Sequence, residues 1–197
     1  SAGLIFLGLL RKIVIADLLL RSLPAKAFQA PGEFSPLELV AWLAAYAVGV
    51  YNDFCGYTDL ARGVSGLFGI GLSRNFNLPF FSRNFTELWN RWHMTLCFWI
   101  RDYVYFPISR ALVSRGDRFG RGLNLFLPPL AATMASGLWH GFSAKFIAWG
   151  ALMGLLLIAE RLASLFRPPR PISAMPVWRR SLSVLKLWLL AGLVALL

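Results

Sequence analysis

Long apolar runs separated by polar and basic islands organise this chain. The first run covers residues 2–23 and is interrupted by Arg11, Lys12 and Asp17. It is long enough to cross a bilayer, which takes about 20 apolar residues. Its three charges predict contact with protein or the membrane interface rather than lipid on all sides. Pro24 and Pro31-Gly32 mark the following loop. Ser35-Pro36 then predicts a helix start, with Ser35 as cap, proline at the first helical position and Glu38 in the first turn. Residues 37–54 read as a spanning helix. It ends in the cluster Tyr51-Asn52-Asp53-Phe54-Cys55-Gly56-Tyr57-Thr58-Asp59, followed by Gly63, Gly66, Gly69 and Gly71. The spacing of Gly63 and Gly66 permits close packing of helix backbones.

Pro79 breaks any helix passing through it. Residues 85–108 then mix Glu87, Arg91, Arg101 and Asp102 with Trp89, Trp92, Phe98, Trp99, Tyr103 and Tyr105. Glu87 and Arg91 stand four apart, a spacing that lets them pair on one helix face. Trp89, Trp92, His93 and Leu96 would share a face of one continuous helix. The mixture predicts an interfacial helix or one lining a polar cavity.

Residues 109–122 form a basic loop with Arg110, Arg115, Arg118 and Arg121. The next apolar stretch, 123–138, contains Pro128-Pro129 and leads to Trp139-His140-Gly141. At about 1.5 Å per residue it falls short of a hydrocarbon core of about 30 Å. Another apolar segment spans 142–159. A second basic, proline-rich loop follows, with Arg161, Arg167, Arg170, Arg179 and Arg180, and a last helix begins at 181–197. The two arginine-rich loops predict one cytoplasmic side, so the segment between them crosses and returns with His140 near its turn. Irregular backbone at membrane depth is tolerated only inside protein or along a cavity. That places His140 at the bottom of a polar cleft.

Composition agrees with the pattern. Hydrophobic residues make up 57% of the 197 positions, above the 45–50% or so of soluble domains. The expected fold is all-α: a polytopic helical membrane protein with short, broken and interfacial helices around a central cleft. Residues 1–197 read as a single membrane domain. Both ends fall in apolar runs, so the chain is expected to be part of a longer protein. The formal charge of +11 would suggest nucleic acid in a soluble protein. Here it sits in loops between apolar runs and fits positive-inside topology and anionic lipid; membrane lipid is the expected partner, not nucleic acid. Cys55 and Cys97 lack metal-ligand spacing, and two histidines do not complete a ligand set, so no metal site is expected.

The two histidines carry the chemistry. Each follows a tryptophan, at Trp92-His93 and Trp139-His140, within or beside apolar sequence. An ionisable ring there is costly and marks a functional candidate, and imidazole suits acid–base work near neutral pH. The alternative is a pair of hydrogen-bonded core histidines. Asp53 and Asp59 either line a cleft or pair with arginine. Arg83, Arg91 and Arg101 either meet phosphate or pair with Glu87, Asp102 or lipid. A covalent acyl intermediate on Cys97 or Ser136 is a second mechanism.

Several ordered segments carry a resemblance: Gly8-Leu9-Leu10-Arg11-Lys12-Ile13-Val14-Ile15-Ala16-Asp17, Tyr51 through Asp59, Asn75-Phe76-Asn77-Leu78-Pro79-Phe80, Phe85 through Leu96, Arg101-Asp102-Tyr103-Val104-Tyr105-Phe106-Pro107 and Gly137-Leu138-Trp139-His140-Gly141. Together the chain resembles the membrane-bound O-acyltransferase family, in its bacterial branch of alginate O-acetylation and D-alanyl transfer. The family's Pro-Leu-Gly-Gly turn reads Pro107-Ile108-Ser109-Arg110 here, and no role is carried over to it. The resemblance implies transfer of an acyl group, acetyl first, from a cytoplasmic thioester towards hydroxyls of an extracellular polysaccharide. His140 would be the base and His93 a second catalytic participant. Asp53, Asn77, Trp89, Arg91 and Trp139 are the substrate-binding candidates. No bound cofactor is expected; acyl-CoA or an acyl carrier thioester is the donor substrate. The acceptor is the polysaccharide or an extracytoplasmic partner acyltransferase, and the expected location is the bacterial cytoplasmic (inner) membrane. The alternatives are D-alanyl transfer from a carrier protein to a cell-wall polymer and a non-catalytic transporter or scaffold subunit.

Overall fold

The computed structural model describes residues 1–166 together with 181, 183 and 184. Among these, every regular element is helical. Apart from those three positions, the expected helix over 181–197 lies outside the described residues, as do the basic positions Arg167, Arg170, Arg179 and Arg180. The chain divides into two compact units, Ser1–Asn75 and Phe76–Leu197.

In the first unit α1 (Ala2–Leu9) runs through a π-helical stretch, Leu10–Ala16, into α2 (Asp17–Ser22). A short α3 (Lys26–Gln29) precedes α4 (Pro36–Leu67). α4 starts as its sequence predicts. The Ser35 side chain accepts from the Glu38 N–H, and the Glu38 carboxylate accepts from the Ser35 N–H at 2.8 Å, a reciprocal capping box. The helix does not stop at residue 54 but continues through the polar cluster to Leu67. The cluster's charges are met across the helix pair. Arg11 pairs with Asp59 and Lys12 with Asp53 at 2.5 Å, while Arg62, on α4 itself, adds a second partner for Asp59 at 3.4 Å. The backbones approach closely: a Cβ on Gly8 would lie 2.8 Å from the Gly56 carbonyl oxygen, and one on Gly56 2.8 Å from that of Gly8. Gly63 meets Ile5 in the same way.

The second unit opens with a 3₁₀ turn at Pro79–Phe81. It continues through α5 (Phe85–Trp89), α6 (Met94–Ile100), a π-helical turn at Arg101–Tyr105 and α7 (Phe106–Ser114). The continuous helix expected over 85–108 is therefore broken, and the face shared by Trp89, Trp92, His93 and Leu96 does not form. At the break, two carbonyls find partners outside the helix ladder. The Arg91 carbonyl accepts from the Asn77 N–H at 3.0 Å and the Trp92 carbonyl from the Cys97 thiol at 3.2 Å. His93 turns into the left-handed region at φ +42 before α6 restarts.

α8 (Arg118–His140) and α9 (Ala144–Phe166) are each 23 residues long and form the main hairpin of this unit. α8 is longer than the expected 123–138. Asp117 caps its start by accepting from the Gly120 N–H at 2.7 Å, which draws Arg118 and Arg121 out of the basic loop into the first turn. Pro128 and Pro129 lie inside it. A proline cannot serve the carbonyl four residues back, and the carbonyl of Asn124 accepts instead from Arg161 Nη1 at 3.0 Å. Arg161 itself belongs to α9, not to a loop. Small residues let the hairpin close. A Cβ on Gly150 would stand 2.8 Å from the Thr133 carbonyl oxygen, and one on Gly154 2.6 Å from Thr133 Oγ1. Among the described residues, Ala144–Phe166 is the one helix long and apolar enough to cross a membrane.

Candidate active site

The α8–α9 turn fixes His140. The ring belongs to the last residue of α8, and Gly141 follows with φ +150, a conformation open to glycine and strained for other residues. A Cβ on Gly137 would run into the Phe146 carbonyl oxygen, so this glycine lets α9 begin directly beside α8. Phe146 consequently lies along His140, stacked at 5.7 Å between centroids, and Trp149 meets its edge at 5.6 Å. Trp149 also packs against the Phe85–Met153 core, where α5 rests on α9.

His93 arrives from the break between α5 and α6. Its left-handed backbone is uncommon for a residue with a side chain, and such conformations concentrate at functional sites. Trp139 joins the two histidines: its ring lies 5.5 Å from His93 and 4.9 Å from His140. The rings, far apart in sequence, thus share one aromatic cluster. A cleft of about 420 Å³ opens beside it, lined by His93, Thr95, Leu96, Trp99 and Trp139. The surround of His140 is aromatic, where the sequence pointed to a polar cleft.

Both histidines lie outside the span of α9. Burial, and next the neighbouring His140, hold the His93 pKa below the ordinary histidine value of 6.5; partial desolvation beside the aromatic rings lowers that of His140, which remains an exposed residue at the end of α8. The surroundings favour the neutral imidazole, the form that accepts a proton. Burial pushes the Cys97 thiol up to about 12, and this thiol is engaged with the Trp92 carbonyl. Both facts work against a thiolate nucleophile there.

The other sequence candidates separate. Trp89 and Arg91 line a second, larger cleft of about 910 Å³, with Arg83, Arg101, Glu160 and Arg161. Glu87 holds Arg83 at 2.9 Å and Arg91 at 2.6 Å, the pairing its spacing predicts. Burial alone would raise the Glu87 pKa; hydrogen bonds from Arg83 outweigh it and keep the carboxyl below its usual value. Asn77 acts through its backbone, exchanging hydrogen bonds with Arg91. Asp53 belongs to the first unit and is paired with Lys12. Among the described residues no group of three or more His, Cys, Asp or Glu could hold a metal ion.

Sequence reasoning passed over Glu160. Its carboxylate accepts from the Phe85 N–H at 2.7 Å and the Thr86 hydroxyl at 2.6 Å, capping α5 from another helix. The available signal was a lone acid at the end of an apolar segment, next to an arginine.

Among the described residues, the elements are helical, one is long and apolar enough to cross a membrane, and two imidazoles share one aromatic cluster, which together define a helical protein of membrane character. Its sequence matches the model of MBOAT, the membrane-bound O-acyltransferase family, over residues 2–193. The chain is 38% identical over 168 residues to the probable alginate O-acetylase AlgI of Pseudomonas aeruginosa, covering 84% of this chain and 30% of that protein. It is 36% identical over 158 residues to the teichoic acid D-alanyltransferase of Streptococcus thermophilus, covering 78% and 38% respectively. It is 33% identical over 157 residues to the peptidoglycan O-acetyltransferase of Helicobacter pylori, covering 79% and 28%. The chain belongs to the membrane-bound O-acyltransferase family. It spans about a third of the length of these relatives.

Proposed function

We propose that this chain supplies the two-histidine core of a membrane O-acyltransferase that moves an acyl group, acetyl first, from a cytoplasmic thioester towards hydroxyls of an extracellular polysaccharide. The observation that carries the reading is the Trp139 bridge between His93 and His140. A sugar hydroxyl is a weak nucleophile near neutral pH and needs a base. Neutral His140 takes the hydroxyl proton as the oxygen attacks the thioester carbonyl. The tetrahedral intermediate collapses, the carbon–sulfur bond breaks, and the imidazolium returns the proton to the departing sulfur. His93, beside Trp139, orients the hydroxyl or donates to the carbonyl oxygen as negative charge develops there. Acyl-CoA and a carrier-bound thioester share this sulfur chemistry and are substrates rather than resident cofactors. Arg91 and Trp89, in the larger cleft, suit the phosphate-bearing arm of either donor. The acceptor is the polymer itself or an extracytoplasmic partner acyltransferase, and the site works in the bacterial inner membrane within a longer polytopic protein.

The test replaces His140 with Ala in the full-length protein and measures polymer O-ester content alongside protein abundance. Loss of esters by a factor of roughly 10² or more at normal abundance is the expected result. Unchanged ester content removes the base assignment. Lost export, with normal esterification of the polymer that still emerges, favours a transporter. D-alanyl transfer is the second reading, supported by the 36% identity to a D-alanyltransferase. It is separated by comparing consumption of acetyl-CoA with that of a D-alanyl carrier thioester.

A further inference from the structure

Glu160 and Arg161 are neighbours on α9, yet each reaches a different element. Glu160 Oε2 accepts from the Phe85 N–H at 2.7 Å, and Oε1 from the Thr86 hydroxyl at 2.6 Å and the Thr86 N–H at 3.4 Å. Those N–H groups belong to the first turn of α5 and have no acceptor within the helix. Arg161 Nη1 donates to the Tyr105 hydroxyl and to the Asn124 carbonyl, both at 3.0 Å. The Asn124 carbonyl is the one that residue 128 would serve if it were not proline. Pro128 is fully buried, so the guanidinium stands where the missing N–H would act. One segment of a rigid helix therefore grips the start of the stretch leading to His93, and also the interrupted helix ending in His140.

We propose that Glu160 and Arg161 are positioning residues for the two-histidine site. Glu160 fixes α5, and with it the turn that presents His93. Arg161 fixes the proline-interrupted α8 and the π-helical turn carrying Tyr105. The inference rests on His140 and His93 being the reacting pair.

The experiment uses the full-length protein in its native membrane, reading polymer O-ester content per unit of protein and the pH dependence of acetyl-CoA consumption in vesicles. Arg161→Met keeps the side-chain length without the donors and is expected to lower turnover roughly tenfold or more. The acid limb of its pH profile moves up towards an ordinary histidine as His140 leaves its aromatic surround. Arg161→Lys restores part of the rate. Pro128→Ala, which returns an N–H to the Asn124 carbonyl, rescues Arg161→Met several-fold; if Arg161→Met does not accumulate, the same double variant recovers abundance and turnover together. Glu160→Ala lowers turnover independently of Pro128. Wild-type turnover in Arg161→Met, or a loss that Pro128→Ala leaves untouched, overturns the proposal. His140→Ala is run in parallel. If that variant stays active, the reading of the reacting pair falls and this proposal with it; if it is dead while Arg161→Met is normal, this proposal alone fails.

Discussion

At the scale of single residues, the proposed base chemistry requires imidazoles that are neutral near physiological pH. Desolvation lowers the pKa of both from 6.5, with His93 half-buried and the exposed His140 only partly shielded by its ring neighbours. A base is active when deprotonated, so its activity is full above its pKa and lost as pH falls through it. A lowered pKa carries that loss below 6.5. Initial rates in membrane vesicles should therefore be flat through neutral pH, with the acid midpoint under 6.5; a midpoint at or above 6.5 would show that the environment does not favour the neutral ring. Both Trp-His pairs were legible in the sequence because an ionisable ring beside apolar residues is chemically conspicuous. The backbone of His93 was not. Beside it the Arg91 and Trp92 carbonyls accept from the Asn77 N–H and the Cys97 thiol, and no local pattern encodes that a distant backbone N–H will meet the Arg91 carbonyl.

At the scale of elements, the α8–α9 hairpin sets the position of His140. It closes because Gly137, Gly150 and Gly154 leave room for backbone against backbone, the small-residue packing common between membrane helices. Gly150→Val would push its side chain into the Thr133 carbonyl and the Met134 backbone, neither of which can rotate away. Overpacking of this kind costs about 1–3 kcal/mol or more. The expected result is a lower melting temperature in detergent and lower turnover, whereas Gly122→Val, where a Cβ meets nothing within 4 Å, leaves the melting temperature within error. The start of α4 was readable because its cap is local, three residues from cap to acid. The length of α8 was harder to read. The apolar stretch alone covers only 123–138, because the first turn of α8 is polar and basic, and the donor that meets the carbonyl freed by Pro128, Arg161, comes from 37 positions away.

At the scale of the molecule, helical class and family were legible from apolar runs and ordered motifs. The pairing of Arg11 with Asp59 and of Lys12 with Asp53 explains how a polar cluster continues an apolar helix, a fact outside the reach of periodicity. The central claim is that His93 and His140 form one functional unit around Trp139. A double-mutant cycle on turnover in the full-length protein tests it most directly, with His93→Ala, His140→Ala and both together. Groups that act on one proton transfer are strongly non-additive. The account predicts that the double variant is about as slow as His140→Ala alone. Losses that multiply, as for two independent sites, would contradict it.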